Sequence, residues 1–446
     1  MKKYRRLAGI ATLVGILSFG GYYIFKARFA NPSIPDLSIR SRGTASAEFV
    51  NAQKAVGYYH EQIKLHPEVV KNYVQLAQLF LQEARVTGNH HEYVPKAEYL
   101  LNEALARNPK DLEAVITNAT LMATFHRFER AKELTLNALD MSPYNAAAYG
   151  ILVDASTELG LYDEAVKACD KMLSIRPDLR SYSRASYLRE IHGDVNGAID
   201  IMTMAANAGV SGEESRAWTL YNLGNLFLHL GKLDTAEFIY NGILEERPNY
   251  AYALSGIAQV KCARGDYKSA IDLFSKAAEI TPEHVFVEQI ADIYRALGDN
   301  NSADGTAKIA LREFERHEKE GWNVDREFAI FCANHGMHLD EALQRAKREY
   351  ERRPGNIDVL DTYAWALFRN GKAAEAVSFI QKALRLNSKN SAIHYHAGMI
   401  YREVGDQANA YKELQQAVSF NPFIHVLYAE SAKSALASMS NLALQN

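Results

Sequence analysis

The chain has 446 residues, with 53 acidic against 50 basic side chains for a net charge of −3, and 48% of it is hydrophobic. Only 11 prolines and 26 glycines interrupt it, and its composition favours helix over strand; its three cysteines, Cys169, Cys262 and Cys332, are far apart, odd in number and form no C-x-x-C pair, which argues against a disulfide framework or zinc module. The charge is uneven. Residues 1–42 hold eight basic side chains against Asp36, a balance of +7 that leaves −10 for the remainder, and an acidic body without a basic stripe argues against nucleic acid as a partner.

The first six residues carry the basic cluster KKYRR, and residues 7–25, opening at Leu7 and closing at Phe25, bear no charge. A helix of that length spans about 28 Å, close to the ~30 Å hydrocarbon thickness of a bilayer. Tyr22 and Tyr23 stand near its far end, where interfacial aromatics are favoured. Two readings follow: a retained transmembrane anchor, and a cleaved signal peptide with Ser18-Phe19-Gly20 as its small-x-small site. Lys26 and Arg28, which end the run with charge, favour the anchor. Either reading puts the body outside the cytoplasm; Lys26, Arg28, Arg40 and Arg42 nearly balance the count, so a cytosol-facing body is the alternative.

Residues 31–47, with Pro32, Pro35, Gly43 and several serines, read as a linker, and residues 48–69 as one helix of a repeat whose first half is missing. Periodicity then takes over from residue 70 to residue 422. Pro109, Pro143 and Pro177 are 34 residues apart, as are Pro248 and Pro282, and Pro354, Ser388 and Pro422. The clearest unit is residues 361–388. Apolar residues at three- and four-residue spacing predict one helix from Asp361 to Asn370 and a second from Ala373 to Leu386, with Gly371 at the turn where the chain needs positive φ. One hairpin of this size cannot bury its own apolar faces and requires neighbours of the same kind. Three stretched spacings carry extra residues, at RVTGNHHEYVP (85–95), near residues 209–214 and near residues 317–322; these read as longer loops and seams of the array. Residues 423–446 read as a helix that covers the last apolar face, followed by a tail.

The period of 34, with Leu223, Gly224, Phe227, Ala236, Tyr240 and Pro248 in one copy and Gly398, Tyr401, Ala410, Ala417 and Pro422 in another, resembles the tetratricopeptide repeat family. Ten copies follow one another, although Leu220, Leu254, Leu360 and His394 stand where the family has Trp. The resemblance implies an all-α, right-handed superhelical solenoid of helix-turn-helix repeats, here preceded by one transmembrane helix. It also implies that partners bind on the concave face, lined by the first helix of each repeat. Carried onto this chain, the lining positions include Trp218, Tyr221, Asn225, Tyr252, Phe331, Trp365, Phe368, Arg369, Tyr395 and Arg402, together with Asp292, Asn334 and Asp361. Aromatics and arginines suit a protein or peptide partner because they combine contact area with a polar handle. The family's clamp for C-terminal carboxylates is not expected: Tyr221 stands in place of its lysine and Gly256 in place of its second asparagine.

Nothing in the chain has the pattern of a catalytic or metal site. There is no G-x-S-x-G, phosphate loop or H-E-x-x-H; His90 and His91 fall in an insertion, His394 and His396 diverge on a helix, and His335 and His338 flank a glycine at an inter-helix turn. No cofactor, metal or small-molecule substrate is therefore expected. The expected function is that of a non-enzymatic, membrane-anchored scaffold for protein partners in a cell-envelope complex. The alternatives are a cytosol-facing adaptor or chaperone for membrane-protein biogenesis and a non-catalytic subunit of an enzyme.

Overall fold

Asp and Asn side chains open helix after helix, accepting from the otherwise unpaired amides of the first turn: Asp111, Asn145, Asp178, Asn356 and Asn390 before first helices, Asp194, Asp266, Asp299 and Asp406 before second helices. A left-handed glycine commonly follows the first helix of a pair, as at Gly160, Gly193, Gly371 and Gly405. The result, in a computed structural model that describes residues 35–37, 47–423 and 425–445, is 22 α-helices and no strand among the described residues. The apolar run 7–25, and with it the anchor or signal-peptide reading, lies outside those residues. Among the described residues no helix is long and apolar enough to cross a membrane.

Helix α1 (Ala47–Leu65) stands alone and is followed by ten helix pairs. The first four are α2 (Val70–Thr87) with α3 (His90–Arg107), α4 (Leu112–Thr124) with α5 (Phe128–Met141), α6 (Ala146–Glu158) with α7 (Tyr162–Ile175), and α8 (Leu179–Ile191) with α9 (Val195–Asn207). Next come α10 (Glu214–His229) with α11 (Leu233–Glu246), α12 (Ala251–Ala263) with α13 (Tyr267–Ile280), and α14 (His284–Ala296) with α15 (Asn300–Lys319). The last three are α16 (Asp325–His335) with α17 (Leu339–Arg352), α18 (Ile357–Arg369) with α19 (Ala373–Ala383), and α20 (Ser391–Glu403) with α21 (Gln407–Phe420); α22 (Ala429–Gln445) closes the array.

Small residues set the distance within and between pairs. Tyr240 of α11 lies between Gly224 of α10 and Gly256 of α12, where an added Cβ would come within 2.4 and 2.6 Å of its ring. That ring explains why Gly256 stands where the clamp has asparagine: a side chain there would collide with Tyr240. Two expectations shift in detail. The insertion at residues 85–95 lengthens α2 and α3 to 18 residues each instead of forming a long loop. In the clearest unit the first helix begins four residues earlier, at Ile357, because Asn356 caps it; the second ends at Ala383 and passes into a 3-10 turn, Leu384–Leu386, before Asn387 at φ 54°.

The array winds back onto itself. Hydrogen bonds between distant turns join residues separated by a nearly constant interval: His126 Nδ1 and Asn323 O at 2.9 Å, 197 apart; Asn356 Nδ2 donating to Glu158 O at 3.0 Å, 198 apart; Ile357 N donating to the Tyr162 hydroxyl at 2.9 Å, 195 apart; Asn421 Nδ2 donating to Leu228 O at 3.4 Å, 193 apart. Arg247 pairs with Glu48 at 2.8 Å across 199 residues, and Arg353 with Glu158 at 2.6 Å. An interval near 195, divided by the 34-residue period, gives about 5.7 repeats per turn of superhelix. The turn inside one pair thus rests on the link between two pairs one superhelical turn later. Gly160 makes the closest such approach: at φ +73° an added Cβ would lie 1.9 Å from the carbonyl carbon of Gly355.

Two of the three insertions lie on this seam. Gly88 and His90 meet Thr281 and Glu283, and Trp322 packs among His90, Phe125, His126 and His317 with ring centroids 5.4 to 5.9 Å away. They fasten successive turns together instead of dividing the array. The insertion near residues 209–214 makes a different long-range contact, Glu214 with Arg85 at 3.3 Å across 129 residues.

Candidate functional site: the inner face and its C-terminal occupant

Because successive turns touch, the inner helices enclose a lumen, with a cavity of about 1300 Å³. Trp218, Asn222 and Asn225 of α10, Arg184 of α8 and Gln259 of α12 line it. Trp218 is 40% exposed there. Charges of both signs share the wall: Arg184 forms a paired contact with Asp154, at 2.8 and 2.5 Å.

The residues expected on the concave face divide into two groups. Trp218, Tyr221, Asn225 and Tyr252 lie along α10 and α12. Tyr221 and Tyr252 are half-buried with ring centroids 5.6 Å apart, and the Tyr240 hydroxyl donates to Asn225 Oδ1 at 2.7 Å, so the asparagine is already engaged by the chain itself. Tyr252 donates to Glu283 Oε1 at 3.2 Å. Trp365, Phe368, Arg369 and Tyr395 come together on α18 and α20, with Arg402 exposed at the far end of α20.

Three of the ten are not surface residues. Phe331, Trp365 and Tyr395 are 3, 3 and 4% exposed. Phe331 is held between Phe314 and His335, at 6.0 and 4.5 Å, as inter-repeat core. Trp365 stacks on His396 at 4.1 Å and on Phe368 at 4.9 Å. Tyr395 is covered because the chain beyond Pro422 turns back across the inner face.

That return segment fills the groove of the last four pairs. Tyr428 stacks on Tyr395 at 4.5 Å and meets Trp365 edge-on at 6.3 Å. Its hydroxyl donates to Asn334 Oδ1 at 2.8 Å, and the Trp365 Nε1–H donates to the same oxygen at 2.9 Å. His425 Nε2 lies 3.0 Å from Asp292 Oδ2, whose other oxygen lies 2.8 Å from His335 Nε2. Tyr395 donates to Ser431 Oγ at 3.0 Å. Burial by itself would lower the His425 imidazole, but the charge and hydrogen bond of Asp292, with Glu288 behind them, raise it above the ordinary histidine value. Burial would raise the Asp292 carboxyl, and His425 and His335 together hold it below the usual carboxylate range.

The sequence offered no sign of His425 and Tyr428 as inner-face residues. The histidine pairs carried a fainter signal, because their acids sit one repeat earlier on the neighbouring first helix: Asp361 for His396, 35 residues back at 2.9 Å, and Asp292 for His335, 43 back. His394 has Glu413 at 2.6 Å. Among the described residues no group of three or more His, Cys, Asp and Glu side chains is placed to hold a metal ion. Cys169 and Cys332 are buried and Cys262 half-buried, all three without a disulfide, and burial pushes their thiols up to about 11, 12 and 12.

The paired helices define an all-α, helical-repeat solenoid. A profile of the tetratricopeptide repeat family matches residues 121–179, 220–285 and 363–423, so these three stretches carry tetratricopeptide repeats. It is 23% identical to human Superkiller complex protein 3 over 281 residues, 59% of this chain and 17% of that one. It is 21% identical to cellulose synthase operon protein C of Pseudomonas fluorescens (strain SBW25) over 362 residues, 76% of this chain and 28% of that one. The chain thus spans only 17% of the length of the first of these relatives. Among solved structures, a thermophilic tetratricopeptide protein of Thermus thermophilus aligns with a TM-score of 0.37 and 19% identity, covering 46% of this chain and 99% of that one.

Proposed function

We propose that the protein is a membrane-anchored, non-catalytic scaffold that binds a segment of a protein partner inside its lumen and thereby helps to assemble or stabilise a cell-envelope complex. The observation that carries this reading is the lumen itself. At about 1300 Å³ it exceeds the roughly 300–1,000 Å³ of small-molecule pockets, and it presents an exposed Trp218 beside the amides of Asn222 and Gln259. An aromatic with neighbouring amides offers a peptide both area and backbone partners. A relative named as a component of the Superkiller complex supports a role within an assembly. The uncharged run 7–25 behind a basic cluster supports the anchor, which would raise the local concentration of a partner at the membrane.

The test is crosslinking of the full-length chain in its own membranes, with a photoreactive residue at position 218. The reading expects crosslinks to an envelope protein that weaken at least tenfold when Asn222 and Gln259 are both changed to alanine. An intact protein that yields no envelope-protein crosslink overturns it. A C-terminal reporter active only in the cytosol overturns the exported topology.

A further inference from the structure

Covering the last apolar face of a repeat array requires contact with the final pair alone, and α22 makes it: Ala432, Ala435 and Met439 are buried in the core shared with Ala410, Leu414 and Ala417 of α21. The segment just before α22 does much more. His425 reaches Asp292 on α14, three pairs earlier, and Tyr428 reaches Asn334 on α16 and the stacked rings of α18 and α20. These contacts are directional and polar, as in ligand recognition, and each is made to the inner face of a first helix. The segment therefore behaves as a ligand held in cis.

We propose that the inner face of the last four repeats is a peptide site, filled in cis by the segment from His425 to Ser431, which in trans takes a partner segment carrying a cationic side chain three residues before a tyrosine. Asp292 reads the cation and Asn334 reads the tyrosine hydroxyl, while Tyr395 and Trp365 hold its ring. An aspartate buried to 4% exposure and already shared with His335 favours a cation over any neutral group at the first position, because its charge has no water to fall back on. The asparagine oxygen accepts from two donors at once, so a phenylalanine in place of the tyrosine forfeits one hydrogen bond and leaves the stacking intact. This assignment rests on the scaffold reading above and specifies one of its surfaces, the groove of the last four pairs, which adjoins the cavity that Trp218 lines.

The test titrates a fluorescent peptide with the sequence of residues 421–433, NPFIHVLYAESAK, into the full-length chain. Wild type, with its groove filled, is expected to bind weakly, because apparent affinity falls by the fraction of time the site is open. The double variant His425→Ala, Tyr428→Ala keeps α22 and its apolar contacts and is expected to bind the peptide at least tenfold tighter than wild type. Adding Asn334→Ala is expected to remove most of that gain, and a peptide with both recognition positions changed to alanine should not bind. Tyr428→Phe, which deletes only the hydroxyl, provides the same comparison with a few-fold effect if the double variant does not fold. Equal affinity of wild type and folded variants, or equal binding of the alanine peptide, overturns the proposal. A wild-type dimer that the peptide dissociates assigns the trans occupant to a second copy and overturns a separate partner. If the peptide fails while crosslinks from position 218 persist, only this inference falls; the reverse outcome removes the envelope reading and leaves the groove assigned.

Discussion

Gly160 and Gly371 offer a controlled measurement of what holds the superhelix closed. Both end the first helix of a pair, and both have φ +73°, so changing either to alanine carries the same left-handed penalty of about 1–2 kcal/mol. Their surroundings differ. Nothing lies within 4 Å of an added Cβ at Gly371, whereas at Gly160 it would stand 1.9 Å from the Gly355 carbonyl carbon, and that backbone atom has no rotamer by which to move away. Restoring an ordinary contact of 3.4 Å requires a shift of 3.4 − 1.9 = 1.5 Å between the two turns. A shift of that size strains the Asn356 bond to Glu158 O and the Ile357 N–H bond to Tyr162. Each such bond contributes about 0.5–1.5 kcal/mol, and a buried amide left unpaired costs about 1–3 kcal/mol. The Gly160→Ala variant should therefore lose about 2–3 kcal/mol more than Gly371→Ala. The best readout is hydrogen exchange at the Ile357 amide: it belongs to the first turn of α18, has no partner within its helix, and is protected by the seam alone. Its exchange should accelerate roughly 30- to 140-fold in Gly160→Ala and remain unchanged in Gly371→Ala. Equal effects of the two substitutions on that amide would refute the closed seam.

The aromatic contact at the other end of the seam should respond locally. Trp322→Ala removes a half-buried ring, at a cost of about 2 kcal/mol, and should deprotect the Asn323 amide, which donates to Phe125 O at 3.3 Å, while amides of α18 and α19 stay protected; uniform deprotection would argue against a local seam contact. Gly256→Ala pushes a methyl into the Tyr240 ring and should destabilise by about 1–3 kcal/mol in urea titrations, whereas Gly242→Ala, with nothing within 4 Å, should stabilise by about 0.5–1 kcal/mol; the same sign for both would contradict the wedge. For pH, burial would lower the His284 imidazole, but Glu288 at 2.5 Å, with Glu283 and Glu327, raises it to about 9. A raised folded value means that this pairing stabilises fully below about 6.5 and is lost as pH climbs through about 9. The difference in thermal midpoint between wild type and His284→Gln should shrink across that window, and a difference constant from pH 6 to 10 would rule the pairing out.

What could be read from the chain was local. The 34-residue period and the alanine positions are written within one repeat, and they fix the helix pairs because each pair's geometry depends on neighbours a few residues away. Helix ends were harder, since Asn356 and Asn387 decide them through caps and left-handed backbone rather than through apolar spacing. Contacts at an interval near 195 residues leave no periodic trace: Gly160 and Gly355 face one another only because about 5.7 repeats complete a turn, a number set by small increments of angle at every interface. Residues 85–95 looked like a loop because glycine, asparagine and proline cluster there, yet helix continues through most of them. On the inner face, the positions of Trp365 and Tyr395 were legible and their burial was not. Tyr428 reaches Asn334 across 94 residues, and no local pattern announces a tail that turns inward.

Closure of the turns and return of the tail act on the same surface. An open solenoid offers one continuous groove; here the seam converts it into a lumen, and the segment from His425 onward takes up the part formed by the last four pairs. His425, Glu430 and Lys433 also stand in the wall of the 1300 Å³ cavity, which Trp218 and Asn225 line as well. A ligand in the lumen and the tail in its groove therefore share residues, and their binding is linked by whatever those shared contacts are worth in each state. A lumen ligand that pairs with Glu430 or Lys433 only when the tail is docked tightens the latch, and one that needs the space they occupy loosens it; by reciprocity, the tail changes that ligand's affinity by the same factor. The sign of this coupling is fixed by whether the two occupants touch or exclude one another, so Lys433→Ala, which leaves the groove contacts of His425 and Tyr428 in place, separates the two cases: lumen affinity falls in the first and rises in the second.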